Sequence, residues 1–187
     1  MILPNVLTIS RLLLTIGFIF FLTRTGVWSI FLALILFMLA VLTDYYDGYL
    51  AKKHHAVSNF GKIMDPIADK FLVLTAFFVF MRMQIVAEWM FVVIFIREIT
   101  VTGSRFLAMK RGRVLAAELT GKWKTVLQTF VIFVILNFIL FYKAGLAYGW
   151  ISQGWACGIY ILMLLTVGLT LLSGLTYFWN NRKVLLG

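Results

Sequence analysis

An all-α integral membrane protein with six transmembrane helices is what this sequence predicts, on three observations. Hydrophobic residues make up 63% of the 187 positions and charged residues only 13%, whereas a soluble domain is about half apolar and about a quarter charged. Several apolar runs reach the ~20 residues a helix needs to cross a ~30 Å hydrocarbon core, and the alternating pattern of a membrane barrel is absent. Basic residues are distributed unevenly between alternate loops, as an oriented multi-span protein requires.

The spans follow in order. The first runs from about Val6 to Thr23 and the second from about Trp28 to Ala51. The third covers Phe60 to Met81, the fourth Trp89 to Lys110, the fifth Lys124 to Tyr142 and the sixth Trp155 to Trp179. Ahead of the first span, Pro4 to Arg11 is amphipathic enough to begin as a short interfacial segment, in which Asn5 either caps the helix start or contacts a ligand. The opening residues lack a basic n-region and a small-residue cleavage site, so the first apolar run is expected to be retained as a span. Trp28, Trp89, Trp150 and Trp155 fall near span ends, where interfacial aromatics belong. With no long linker or low-complexity tract, residues 1–187 read as a single membrane domain.

Charge sets the orientation. Arg11, Lys52, Lys53, Lys62, Arg105, Lys110, Arg111, Arg113, Lys122, Lys124, Arg182 and Lys183 collect on one side, and only Arg24, Arg82 and Lys143 on the other. The positive-inside rule then places both termini at the cytoplasmic face of a multi-pass plasma-membrane protein. The net charge of +10 is thereby accounted for by topology and by attraction to anionic headgroups or substrates, and nucleic-acid binding is excluded. A single cysteine, Cys157, excludes an internal disulfide and reads as inert packing.

Four of the seven acidic residues lie between Asp44 and Asp69. Asp44 and Asp47 are three apart and Asp65 and Asp69 four apart, so each pair shares a helical face. The short polar stretch from Lys52 to Asn59 returns the chain as an antiparallel neighbour and brings the pairs to one depth. Unneutralised, such carboxylates would be driven toward protonation. Mg²⁺ or Mn²⁺, as one ion or two, would neutralise them, oxygen being the preferred ligand of these cations. Structural ion pairs with Lys52, Lys62 or Lys70 are the alternative. Gly48, Ala51 and Gly61 leave room beside these faces for a ligand or for close helix packing. His54 and His55 point apart and have no third histidine to complete a metal site; they read as a solvated turn.

The series Asp44-x2-Asp47-Gly48-x2-Ala51-Lys52-x8-Gly61-x3-Asp65-x3-Asp69 resembles the signature of the CDP-alcohol phosphotransferases, membrane enzymes of phospholipid synthesis. Seven of the eight signature positions match. Lys52 departs from the usual arginine, keeping the charge but losing the bidentate fork. The resemblance implies that Asp44, Asp47 and Asp65, helped by Asp69, hold two divalent ions that grip the diphosphate of a CDP-linked lipid. It implies that Asp69 is the catalytic base, and that Asn5, Thr8, Asp47, Gly48, Ala51, Lys52 and Gly61 bind the CDP-lipid. It also implies a homodimer.

The remaining charges bear on the acceptor. Arg97 and Arg105 are eight residues apart on one face. With Lys122 they would suit an alcohol that carries its own phosphate; alternatively, Arg97 pairs structurally with Glu98 or Glu118. Pro4-Asn5 with Thr8 and Arg11, Met64 to Lys70, Arg97-Glu98 and Gly121-Lys122-Trp123-Lys124-Thr125 are similar to the phosphatidylglycerophosphate synthase branch of that family. This implies CDP-diacylglycerol as donor and glycerol 3-phosphate as acceptor, with phosphatidylglycerophosphate and CMP as products. Another acceptor (inositol phosphate or serine) and a divalent-cation transporter are the rival readings.

Overall fold

A computed structural model describes residues 3–54, 59–110, 119–147 and 149–186, with side chains for 9–44, 70–109, 121–147, 149 and 151–182. Among the described residues there are six α-helices: α1 (Leu3–Leu22), α2 (Val27–His54), α3 (Asn59–Arg82), α4 (Glu88–Lys110), α5 (Leu119–Lys143) and α6 (Trp150–Leu186). Each coincides with a predicted span. The largest differences are at α5, which starts five residues earlier than its apolar run, and at α6, which extends beyond its run at both ends to 37 residues. Hydropathy marks where a helix is greasy, whereas backbone hydrogen bonding continues into polar sequence.

The expected interfacial segment is not a separate element. Backbone helix runs unbroken from Leu3, with Pro4 in the first turn, where a missing N–H costs nothing. Asn5 therefore lies inside α1 and is not its cap.

Two helices end in the same way. Ile85 N–H reaches back to the Phe80 carbonyl and Gln84 N–H to Met81, with Gln84 at φ 59°. At the end of α5, Leu146 bonds to Phe141 and Gly145 to Tyr142, with Gly145 at φ 76°. Both are Schellman closures, which satisfy carbonyls left open by the last turn. Hydroxyls inside the helices are satisfied locally, as with Thr15 to the Arg11 carbonyl and Thr102 to the Glu98 carbonyl.

Cross-helix contacts fix the relative directions. Arg97 bonds to Ser173 and Ser104 to Tyr177, so α4 and α6 run parallel. Lys143 Nζ donates to the Arg24 carbonyl at 3.0 Å, which puts the ends of α1 and α5 at one end of the bundle. α1 packs along both α2 and α3, α5 along α2 and α6, and α4 along α6. Over the described residues it is α1, rather than direct contact between α2 and α3, that holds those two helices in register.

Buried apolar residues from all six helices form one cluster, including Phe18, Phe37, Phe77, Ile94, Ile135 and Met163. Outward faces are also apolar: Leu13, Trp28, Phe130, Leu165 and Leu175 are all more than half exposed. Exposure of this many large apolar side chains is unfavourable in water and natural in lipid. Val27–Asp44, Gly121–Lys143 and Ile151–Arg182 are long and apolar enough to cross a membrane, and Ile9–Leu22 is a shorter apolar stretch. α4 carries Arg97, Glu98 and Arg105 along its length. Trp28 and Trp89 are exposed at the second residues of their helices, as expected of interfacial side chains. Cys157, expected to be packing, is instead exposed on α6.

Candidate active site

Helical backbone through residues 27–54 keeps Asp44 and Asp47 one turn apart near the end of α2. Helical backbone through 59–82 does the same for Asp65 and Asp69 on α3. Of the four, only Asp44 has a described side chain. The side chains of Asn5, Thr8, Asp47, Gly48, Ala51, Lys52, Gly61, Asp65 and Asp69 lie outside the described residues, as do Glu118 and His55.

Asp44 is held from α1. Arg11 Nη2 lies 2.7 Å from Asp44 Oδ1, with the arginine side chain 2% exposed and the carboxylate 48% exposed. The partner that sequence reasoning missed is thus a residue it had counted among the topology-setting cations. Asp44, Asp47, Asp65 and Asp69 carry carboxylates, the chemistry a hard divalent cation prefers. Asp44 keeps about half its surface open beyond its contact with Arg11. On those grounds the residues fit such an ion. Among the described residues, no three potential metal-binding side chains converge.

A second polar cluster is built deep between four helices. Glu98 on α4 is buried, and its Oε2 accepts from Lys70 Nζ on α3 at 2.9 Å. Its Oε1 accepts from Arg97 Nη1 at 3.3 Å, and also from Lys124 Nζ on α5. Arg97 Nη2 in turn donates to Ser173 Oγ on α6 at 2.9 Å. Gly174 makes room for this reach: a Cβ there would come within 3.3 Å of Arg97 Cγ. Lys70 is also the chain neighbour of Asp69, so the cluster is tethered to the acidic end of α3.

Of the three cations expected at the acceptor, only Arg97 enters this cluster. Arg105 is exposed, its guanidinium 5.3 Å from the centre of the Tyr177 ring. Lys122 is exposed, and Lys124, two residues on, takes the buried position. The missed signal was periodicity: Lys124, Gln128, Val131, Ile135 and Ile139 are all buried and form one stripe of α5. Lys70, weighed as a partner for the aspartates, pairs with Glu98.

Comparison with known proteins decides what this arrangement belongs to. A family model described as CDP-alcohol phosphatidyltransferase matches residues 1–172. This chain belongs to that family. Transfer chemistry, not ion transport, is therefore its activity, and the family together with the apolar helices makes it a membrane protein. A relative from Bacillus subtilis (strain 168), named CDP-diacylglycerol--glycerol-3-phosphate 3-phosphatidyltransferase, is 36% identical over 151 residues, spanning 81% of this chain and 74% of its own. One of the same name from Cereibacter sphaeroides is 36% identical over 136 residues, 71% of this chain and 62% of that one. A third, from Rickettsia bellii, is 33% identical over 188 residues, covering 97% and 96%.

Proposed function

We propose that this chain transfers a phosphatidyl group from CDP-diacylglycerol to glycerol 3-phosphate, giving phosphatidylglycerophosphate and CMP, the activity named for its relatives. The observation that carries the choice of acceptor is the cluster around Glu98. Among the described residues, three cations, Lys70, Arg97 and Lys124, share one carboxylate and leave two positive charges in excess. A phosphomonoester, at about −2 near neutral pH, matches that excess. A neutral polyol or a zwitterionic amino acid does not.

Asp44, Asp47, Asp65 and Asp69 would hold divalent metal, Mg²⁺ or Mn²⁺ and two ions in this reading. When bound, such ions neutralise diphosphate charge and stabilise attacking and leaving oxygens. Asp69 accepts the proton of the acceptor hydroxyl. The oxygen forms a bond to the lipid-bearing phosphorus, the bond from that phosphorus to the CMP oxygen breaks, and CMP leaves with the electron pair. Asn5, Thr8, Asp47, Gly48, Ala51, Lys52 and Gly61 would bind the CDP-lipid, the small residues among them suiting close approach of the nucleotide. Arg97 orients the acceptor phosphate, and Arg105 and Lys122 attract it from the surface.

The same reading makes residues 1–187 a single domain of six spans, with both termini and the acidic site at the cytoplasmic face of the plasma membrane and two copies in the working enzyme. Purified protein given CDP-diacylglycerol, Mg²⁺ and a panel of alcohols is the test. CMP release should be fastest with glycerol 3-phosphate; a phosphate-free alcohol outcompeting it would refute the assignment.

A further inference from the structure

We infer that Glu98 is a positioning residue for the acceptor phosphate, an inference that rests on the proposed transfer to a phosphorylated alcohol. Its carboxylate gathers cations from α3, α4 and α5 into one preassembled cradle. The residue touches no reacting atom; it acts through the groups it holds.

Three features separate this from a plain structural ion pair. The stoichiometry is the first. A structural bridge pairs charge with charge, because an unmatched buried cation is costly, whereas here, among the described residues, one carboxylate serves three cations in a region where Glu98 is 3% and Lys124 4% exposed. The second is spare donor capacity. Arg97 approaches Glu98 through Nη1 alone, not as a bidentate fork, and its Nε is buried without a hydrogen-bond partner. Lys70 and Lys124 each contribute one of their three N–H donors to Glu98. The third is rigidity. Arg97 is gripped on one side by Glu98 and on the other by Ser173, whose own hydroxyl donates to the Thr170 carbonyl at 3.0 Å.

Two further buried atoms lack hydrogen-bond partners, Gln128 Nε2 one turn beyond Lys124 along α5 and Thr170 Oγ1 one turn before Ser173 along α6. A cradle with excess charge, fixed geometry and unused donors is built for an anion that brings several acceptor oxygens. Without Glu98, three cations would repel one another and swing apart. The phosphate would then have to reassemble them at the cost of its own binding energy.

The test is a split between the two substrates, measured on the full chain in detergent or proteoliposomes. In Glu98→Gln, KM for glycerol 3-phosphate should rise about tenfold or more, as loss of one well-placed charged contact does. KM for CDP-diacylglycerol should be unchanged, and kcat at saturating acceptor should be largely kept. Glu98→Asp keeps the charge with a shorter reach and should give an intermediate acceptor KM at near-normal thermal stability; if the Gln variant does not fold, the Asp variant alone decides. An acceptor KM that is unchanged or lower would overturn the inference, since Glu98 would then be inert or a mere competitor. So would a parallel rise in both KM values tracking lost stability. Wild-type protein that uses glycerol 3-phosphate while the variants keep its KM counts against Glu98 alone. Wild-type protein that prefers a phosphate-free alcohol removes both readings.

Discussion

Arg11 and Asp44 form an ion pair of 2.7 Å between α1 and α2 in which the guanidinium is buried and the carboxylate is half exposed. The asymmetry says which residue serves the other. A buried arginine in contact with a partly open carboxylate fixes where that carboxylate points, while leaving one side of it reachable. We expect the pair to be energetically coupled. A double-mutant cycle with Arg11→Met and Asp44→Ala, followed by unfolding in metal-free detergent, should give a coupling of about 1–3 kcal/mol. Additive losses would mean the contact contributes nothing.

Asp44 and Asp69 should fail differently. Asp69→Asn is expected to lower turnover by about 100- to 10,000-fold, the range for loss of a general base, with metal-dependent CDP-lipid binding retained. Asp44→Asn should weaken the metal dependence itself, seen as a higher Mg²⁺ concentration at half-maximal activity. Removal of divalent ions with EDTA should silence the wild-type enzyme, and Mg²⁺ should restore it. Equal Mg²⁺ titrations for wild type and Asp44→Asn would contradict the assignment.

Gly174 gives Arg97 its path. A Cβ at this position would lie 3.3 Å from Arg97 Cγ and 3.7 Å from Nε, so alanine asks for a small adjustment and valine for a displaced guanidinium. Gly174→Val should raise the acceptor KM by about tenfold, with Gly174→Ala well below that. Steady-state kinetics with glycerol 3-phosphate varied at saturating CDP-diacylglycerol reads the difference.

The two Schellman closures predict opposite responses to glycine. Gln84 occupies the left-handed region with a side chain that disfavours it, so Gln84→Gly should stabilise by up to about 1 kcal/mol. Gly145→Ala should destabilise by about as much. Melting temperatures in one detergent would show shifts of opposite sign.

The helices were legible because each coincides with a long apolar run, and only their polar extensions escaped hydropathy. The aspartate positions were legible because helical spacing alone pairs Asp44 with Asp47 and Asp65 with Asp69. The Glu98 cluster was not, although Arg97-Glu98 stood out as charges inside an apolar span. Which cations a lone carboxylate recruits depends on how α3, α4 and α5 pack, and that is a tertiary fact. Lys124 was half-legible: the core stripe of α5 extends back to it through Gln128 and passes Lys122 by. Arg11 was hidden for a different reason, because a charge near a span end reads first as a topology signal.

The greasy exterior changes what holds this molecule together. When the surroundings are as oily as the interior, a phenylalanine gains little by moving from one to the other. Choice of neighbour then falls to a few directional links: Arg11 to Asp44, Ser104 to Tyr177, Lys143 to the Arg24 carbonyl. Substitutions among the many apolar side chains should therefore be forgiven more readily than in a water-soluble protein, and the sparse polar stitches far less.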